Sequence, residues 1–436
     1  MIGFAGLSHL GIVSSIATAA KGFEVVAYGE TETLCERLNS GQPPFFEPGL
    51  AELLTSNQAR INFTADASRL AGCEVIYFAL DVPTDDQGKS DLSPLVALLK
   101  KVIQLAAPET LLVVLSQVPP GFTRRLARRL EGTPETRSLQ LFYQVETLIF
   151  GRAVERALYP ERYIVGCLNP HAPLPPAYAE LLKAFDCPIL PMRYESAELT
   201  KISINMCLVS SVSVANTMAE LCENIGADWS EMIPALKLDR RIGQYAYLSP
   251  GLGIAGGNLE RDLATVVSLA NEFGTDDGVV DAWIANSRYR RDWALKVIHE
   301  KAISRNENPL IVVWGLAYKQ DTTSTKNSPA LALVDALKPF PVRAYDPQVV
   351  LKDEHAPTFT QVASALEALE GADVLAVMTP WSEFSSISVA QIQDRMKGRL
   401  IVDPFGMLDE RECIEAGFSY FKLGSSIIKE QLRKDD

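Results

Sequence analysis

Ile2-Gly3-Phe4-Ala5-Gly6-Leu7-Ser8-His9-Leu10-Gly11 decides the fold. A short apolar run enters a glycine turn, and the helical pattern of Ile12–Ala20 follows at once. That is how the first strand, turn and helix of a dinucleotide-binding sheet are built. Its three glycines permit a tight turn, close approach of the pyrophosphate and packing of helix on strand. Here Gly6 and Gly11 hold the outer positions and Ser8 the middle one. An ordinary strand-to-helix turn has the same outline, so the rest of the chain has to decide. The second strand, Glu24–Tyr28, closes on Gly29-Glu30, about twenty residues on, where a ribose-binding acid is expected. Glu30 suits that role, and a carboxylate there repels a 2′-phosphate, so NAD is expected over NADP. A solvated loop glutamate is the plainer account of the same residue.

Outward from this unit, apolar runs Val75–Ala79, Leu111–Ser116 and Tyr163–Gly166 alternate with amphipathic stretches such as Leu95–Leu105. Such alternation predicts a parallel, doubly wound sheet over residues 1–190. Residues 191–304 change character: Glu195–Ile225 is a proline-free helical pattern, followed after Gly251–Gly257 by more helix. A long helix with a broad apolar face suits either contact with a second subunit or burial within one chain. From residue 305 the alternation returns. Leu310–Trp314 runs into Gly315, Val342–Tyr345 into Asp346, Val374–Met378 into Thr379, and Leu400–Val402 into Asp403. The expected architecture is α/β: two Rossmann-like doubly wound domains, 1–190 and 305–436, joined by a central helical region with a long helix.

Composition removes several classes of function. The 436 residues carry a net charge of −13, which disfavours nucleic acid or an anionic membrane as partner. No run of eighteen apolar residues reads as a span. The N-terminus enters the glycine turn without a basic leader. Seven scattered cysteines and four distant histidines lack metal-site spacing and suit reduced thiols, so no metal and a cytoplasmic location are expected.

Further motifs run in order along nearly the whole chain: Leu38-Asn39-Ser40-Gly41 with Phe46-Glu47-Pro48-Gly49-Leu50; Pro83-Thr84-Asp85 with Gly88; Ser116-Gln117-Val118-Pro119-Pro120-Gly121-Phe122; Glu195-Ser196-Ala197-Glu198-Leu199-Thr200-Lys201 with Asn205; Asp239-Arg240-Arg241-Ile242-Gly243 and Pro250-Gly251-Leu252-Gly253; Gly315-Leu316-Ala317-Tyr318-Lys319 and Lys326-Asn327-Ser328-Pro329-Ala330. Together they resemble the UDP-glucose and GDP-mannose dehydrogenases. That family oxidises a sugar alcohol in two hydride transfers, with a cysteine capturing the intermediate aldehyde. The resemblance implies NAD at Gly6, Ser8, Gly11, Glu30, Pro83, Thr84, Gln117 and Lys326. It implies a nucleotide sugar held between the domains at Glu146, Phe150, Arg241, Tyr247, Gly251, Gly253 and Lys319, with Arg241 reaching a neighbouring subunit's site, and a homodimer formed through the central helix. In its catalytic set Lys201 stabilises the oxyanion, Asn205 bonds the same oxygen, Asp262 orients the proton acceptor and Glu146 lies near the reacting carbon. On a helix, Lys201 and Asn205 share one face.

The departures from the family pattern bear on chemistry. Pro250–Asp262 aligns without a gap to Pro-Gly-x-Gly-aromatic-Gly-Gly-Ser-Cys-Phe-Pro-Lys-Asp, and the cysteine falls on Asn258. An amide forms neither a thiohemiacetal nor a thioester. The second family glutamate falls on Phe150, a cofactor-loop threonine on Gln117, the second-strand acid on Gly29 and a late arginine on Phe405. The expectation is one hydride transfer yielding a carbonyl, alone or within an epimerisation or dehydration. A silent binding or regulatory relative is the alternative, and full four-electron oxidation ranks last.

Overall fold

In the computed structural model, residues 1–85, 88–351 and 359–425 are described. The chain forms two compact units, Met1–Ile204 and Asn205–Asp436.

The first unit is built on an eight-stranded sheet of order β3-β2-β1-β4-β5-β6-β7-β8. Its strands are β1 (Ile2–Ala5), β2 (Val25–Tyr28), β3 (Ile61–Thr64), β4 (Val75–Phe78), β5 (Leu111–Val114), β6 (Gln140–Gln144), β7 (Tyr163–Cys167) and β8 (Ile189–Arg193). The central strands β1, β2, β4 and β5 are buried at every position. Both faces are covered by helices, so these strands read as continuous apolar runs rather than alternations. The parallel, doubly wound sheet expected from sequence is present, with one difference. β6 and β7 pair antiparallel, so the sheet is mixed. β3, β6 and β8 escape the apolar-run reading. β8 is an edge strand whose side chains are largely exposed, and it tolerates Pro191 because an edge residue needs no second ladder bond. Helix α1 (His9–Ala20) starts three residues after Gly6 and packs nine of its twelve residues into the core.

Helix α4 (Tyr194–Ile225) runs 32 residues, about 48 Å at 1.5 Å per residue. The boundary between the units falls within it. It is long and apolar enough to cross a membrane by length and composition, and 28% of its most apolar window is buried.

The second unit holds the rest of α4, α5 (Asn258–Phe273), α6 (Gly278–Arg291) and a six-stranded parallel sheet. The strand order is β11-β10-β9-β12-β13-β14, with β9 (Ile311–Trp314), β10 (Val342–Tyr345), β11 (Thr360–Gln361), β12 (Val374–Val377), β13 (Leu400–Val402) and β14 (Ser419–Phe421). Its core centres on Trp314, stacked on Phe384 at 5.0 Å. Helix α7 (Pro329–Ala336) follows β9 after a fourteen-residue connection, 315–328.

Candidate active site

The turn after β1 is tight, and its glycines leave no room for side chains. Gly6 sits at φ 107°, a conformation that favours glycine. A β-carbon on Gly11 would lie 1.9 Å from the Gly6 carbonyl oxygen, so α1 packs on the turn only with glycine there. The Ser8 hydroxyl accepts from the Asp81 N–H at 2.8 Å and donates to the Ala79 carbonyl at 3.3 Å, tying the turn to the chain after β4. Asp81 in turn accepts the Leu10 N–H at 3.4 Å, at the start of α1.

Glu30 lies past the end of β2, 75% exposed and 3.7 Å from the Lys101 ammonium. The structure also gives a reason for glycine at the preceding position: a β-carbon on Gly29 would meet the Leu7 side chain at 2.6 Å. Of the other expected cofactor contacts, Thr84 bridges to Ser90, and the Pro83 carbonyl accepts the Asp91 N–H at 2.9 Å. Gln117 lies half-buried just after β5, beside Ser116, whose hydroxyl accepts the Leu80 N–H.

Still in the first unit, Lys201 and Glu146 come together. The Lys201 ammonium donates to the Glu146 carbonyl at 2.9 Å and lies 3.4 Å from its carboxylate, with both side chains largely buried. The loop after Glu146 is held by a residue quoted in a motif but given no role in the sequence reading. Glu47, 5% exposed, accepts the Gly151 N–H at 3.2 Å and the Ala153 N–H at 2.7 Å, and meets His9 Nε2 at 3.1 Å. The Phe150 ring packs on His9, with centroids 4.3 Å apart. The position of the second family glutamate therefore carries an aromatic laid against the first residue of α1.

Two more carboxylates of the α4 motif prove to be positioning groups. Glu198 accepts the Gly121 and Thr123 N–H groups at 2.6 and 2.8 Å, capping α2 (Phe122–Glu131). Burial pushes its carboxyl above the ordinary range, against the pull of its bonds to Thr123 and Gly121. Glu195 takes a forked pair from Arg124, which holds its carboxyl below the ordinary range. Only partner geometry reveals these roles.

In the second unit, Asn205 donates to Asp262 at 2.5 Å. Asp262 is 1% exposed, and Arg261 Nε lies 3.5 Å from its other oxygen. Asn258 opens α5 and is exposed, one turn ahead of Asp262. Gly253 is at φ 78°, and a β-carbon there would meet the Ser287 carbonyl at 2.4 Å. The Gly251 N–H donates to Asn216 at 2.8 Å. Asn327 donates to Glu260, whose carboxyl is raised by burial against the pull of Lys326, Arg291 and Arg288. The Lys326 side chain passes 3.4 Å from where a Gly257 β-carbon would stand, and Lys319 lies over the Tyr318 ring at 5.8 Å. Arg241 is 89% exposed and forks onto Asp239 within its own turn, and Tyr247 is exposed. Among the described residues no group of three or more His, Cys, Asp or Glu side chains is disposed to hold a metal ion.

Models of the UDP-glucose/GDP-mannose dehydrogenase family match the chain in three parts. These are its NAD binding domain at residues 1–185, its central domain at residues 195–288 and its UDP binding domain at residues 312–410. The UDP-glucose 6-dehydrogenase of Rickettsia typhi is 28% identical over 436 residues, covering 98% of this chain and 100% of the relative. Among solved structures, a UDP-D-ManNAc dehydrogenase of Pyrococcus horikoshii superposes with TM-score 0.83 at 25% identity, covering 97% and 99% of the two chains. A UDP-glucose dehydrogenase of Pyrobaculum islandicum gives TM-score 0.84 at 25% identity, covering 96% of each.

Proposed function

Since this chain belongs to the UDP-glucose/GDP-mannose dehydrogenase family, whose members are NAD-dependent oxidoreductases acting on a nucleotide-sugar CH–OH, we propose that it performs one two-electron oxidation, of a hydroxyl to a carbonyl. The observation that carries this reading is Asn258 at the head of α5, one turn before the buried Asp262. The family's thiol position has no nucleophile. The exposed Cys207 is no substitute: it lies two residues beyond Asn205 on α4, about 200° around the helix from it.

NAD, when bound, accepts the hydride. The residues suited to hold it are Gly6, Ser8 and Gly11 at the turn, Glu30 at the ribose, and, by the family pattern, Pro83, Thr84, Gln117 and Lys326. The turn fits the group, because its two glycines have no room for a side chain. Lys201 stabilises the negative oxygen as the alcohol ionises, and Asn205 donates to the same oxygen. Asp262, through its bond to Asn205, fixes which way that amide points. Glu146 receives the alcohol proton. The match of residues 312–410 to a UDP binding domain favours a UDP-sugar. Arg241, Tyr247, Gly251, Gly253 and Lys319 belong to its binding. Phe150, an aromatic where a carboxylate is expected, suits a sugar less polar than glucose at that wall. A homodimer through α4 accounts for Leu208, Val214 and Leu221, which stay exposed on an apolar helix.

The test is stoichiometry. With NAD and a panel of UDP-sugars, one NADH per product and a carbonyl compound by mass are expected. Lys201→Ala abolishes the activity, and Asn258→Ala retains part of it. Two NADH per sugar with a uronic acid product overturns the reading. No NADH from any sugar, with binding intact, turns it to a regulatory relative.

A further inference from the structure

The first unit contains a cavity that the cofactor and substrate assignments leave unused. It lies between the sheet and the helices α1 and α3 (Ala153–Leu158), with about 60 Å³ open to water centres. At roughly 15 Å³ per water, that is room for about four molecules. Its polar lining includes Glu146, Thr147, Gln144, Tyr163, Ser14 and Arg156, set among apolar neighbours. Gln144 accepts from the hydroxyls of Tyr77 and Tyr178 at 3.0 and 2.9 Å, which leaves its amide N–H groups without a protein acceptor among the described residues. Tyr163 is 9% exposed and Ser14 and Thr147 are half-buried, and none of their hydroxyls has a protein hydrogen bond among the described residues. Buried polar groups are ordinarily partnered, and a roomy polar cavity with several such groups on its wall is where internal water belongs.

We infer that this cavity holds a short file of water that accepts the substrate proton from Glu146 and relays it past Gln144 and Tyr163 toward the partly exposed Ser14 and Arg156. The inference rests on the oxidation proposed above. When the alcohol is oxidised, the hydride leaves carbon with its electron pair. The O–H bond breaks and its pair closes the C=O bond. The proton passes to the Glu146 carboxylate. That carboxyl must lose the proton before the next turnover, and it does so to a cavity water that releases another proton onward. Tyr163 serves as a relay, passing one proton while accepting another, since burial holds its hydroxyl protonated. The charged groups around the path are few. Lys201 lies beside Glu146, and Arg156 is paired with Glu161 at 2.7 Å. The other walls are apolar or aromatic, including Phe4, Leu181 and Phe185, which confine water to the polar line.

Two variants and one structure test this. Ala157→Leu fills the cavity from α3, and Tyr163→Phe removes the relay; neither residue belongs to the proposed binding or catalytic set. In stopped flow, NADH absorbance is followed alongside a pH indicator. Wild-type protein should release proton and NADH together. In both variants proton release should lag the first NADH by fivefold or more, with KM for NAD and sugar unchanged and the lag removed by added formate, a base small enough to reach Glu146. Release in step with NADH in both variants overturns the inference. A crystal structure decides independently of turnover: ordered waters bonded to Gln144 and Tyr163 support it, and a dry cavity overturns it even if the oxidation is real. Wild-type protein that forms no NADH removes the oxidation reading alone. The crystal structure would then still decide the water path by the same two outcomes.

Discussion

The turns after β1 and after β9 occupy equivalent places in sheets whose first six strands run in the same order, and they treat a carboxylate in opposite ways. After β9, Asp346 is 5% exposed and accepts from five groups: the N–H of Leu316, Ala317, Gln348 and Val349, and the indole of Trp381, at 2.6 to 3.1 Å. The next helix begins only at Pro329, capped by Ser328. After β1, the helix begins at His9, and the nearby Asp81 is exposed with a single bond to it, at 3.4 Å. In the turn after β9, the donors at Leu316 and Ala317 are satisfied internally, by the same carboxylate that holds Gln348 and Val349 after β10. The other turn keeps its donors at the start of a helix under a carboxylate that a phosphate can displace. A shared topology therefore fixes where a ligand can sit, and the donor count at one carboxylate decides whether backbone N–H groups remain to hold it.

The comparison breaks most visibly at Asp346. Asp346→Ala strands five donors, four of them in buried bonds, and unsatisfied buried groups cost about 1 to 3 kcal/mol each, so a loss of at least about 3 kcal/mol is expected. All five tryptophans lie at or beyond Trp229, so their fluorescence reports the second unit alone. Urea unfolding followed by tryptophan should shift strongly while NAD affinity holds. A wild-type midpoint would show that the five bonds are not what fixes the turn. If the alanine variant does not fold, Asp346→Asn, which keeps one acceptor oxygen, gives the same sign at smaller size.

The sequence discloses such differences unevenly. Continuous apolar runs marked β1, β4, β5, β9 and β12, because buried parallel strands leave a signal that needs no partner. β6 and β8 were hidden because their ends carry polar or exposed residues, and the antiparallel step between β6 and β7 is a pairing fact with no local mark. At the site, the spacing of Lys201 and Asn205 was legible as helix geometry. Which partner each takes was not. Asp81, Glu47 and Glu198 act by accepting N–H groups distant in sequence, at 71 residues for Asp81 and about 106 for Glu47. Nothing in their neighbours distinguishes them from solvated acids.

At the open turn, Glu30 and Lys101 offer the next test. Glu30→Gln removes the charge that repels a 2′-phosphate and leaves the Lys101 ammonium, 3.7 Å away, to meet one. NADP affinity should rise about tenfold, near 1.4 kcal/mol, with NAD affinity slightly weaker. Calorimetry with both cofactors measures it, and an unchanged NADP affinity would take the ribose away from Glu30. Asp81→Asn should act in the other direction on the turn itself. With the pyrophosphate at this turn as proposed, removing an exposed like charge beside it is worth under about 1 kcal/mol, so NAD should bind roughly threefold to fivefold tighter, with a weaker dependence on salt. Weaker binding would make Asp81 a ligand of the cofactor rather than a competitor of its phosphates.

Glu198 lies between the two extremes, with two backbone donors where Asp346 has five donors in all and Asp81 one. Two N–H bonds do not offset its burial, and its carboxyl titrates above the ordinary carboxylate range. The sign follows from linkage. A carboxyl raised in the folded state binds its proton more tightly there than in the unfolded chain. Holding the charge therefore costs stability above the raised value, and that cost fades as pH falls through it toward the ordinary range. Glu198→Gln removes this titration and keeps the size of the side chain. The stability of wild type relative to Glu198→Gln should improve as pH is lowered through that window and level off below the unfolded value. The change should be smaller than the loss at Asp346, because a neutral acid can still accept from Gly121 and Thr123. Paired denaturation curves across the acid range measure it. A difference that is flat with pH would mean that the two N–H bonds already satisfy the charge, and that two donors at a helix start suffice where the closed turn uses five.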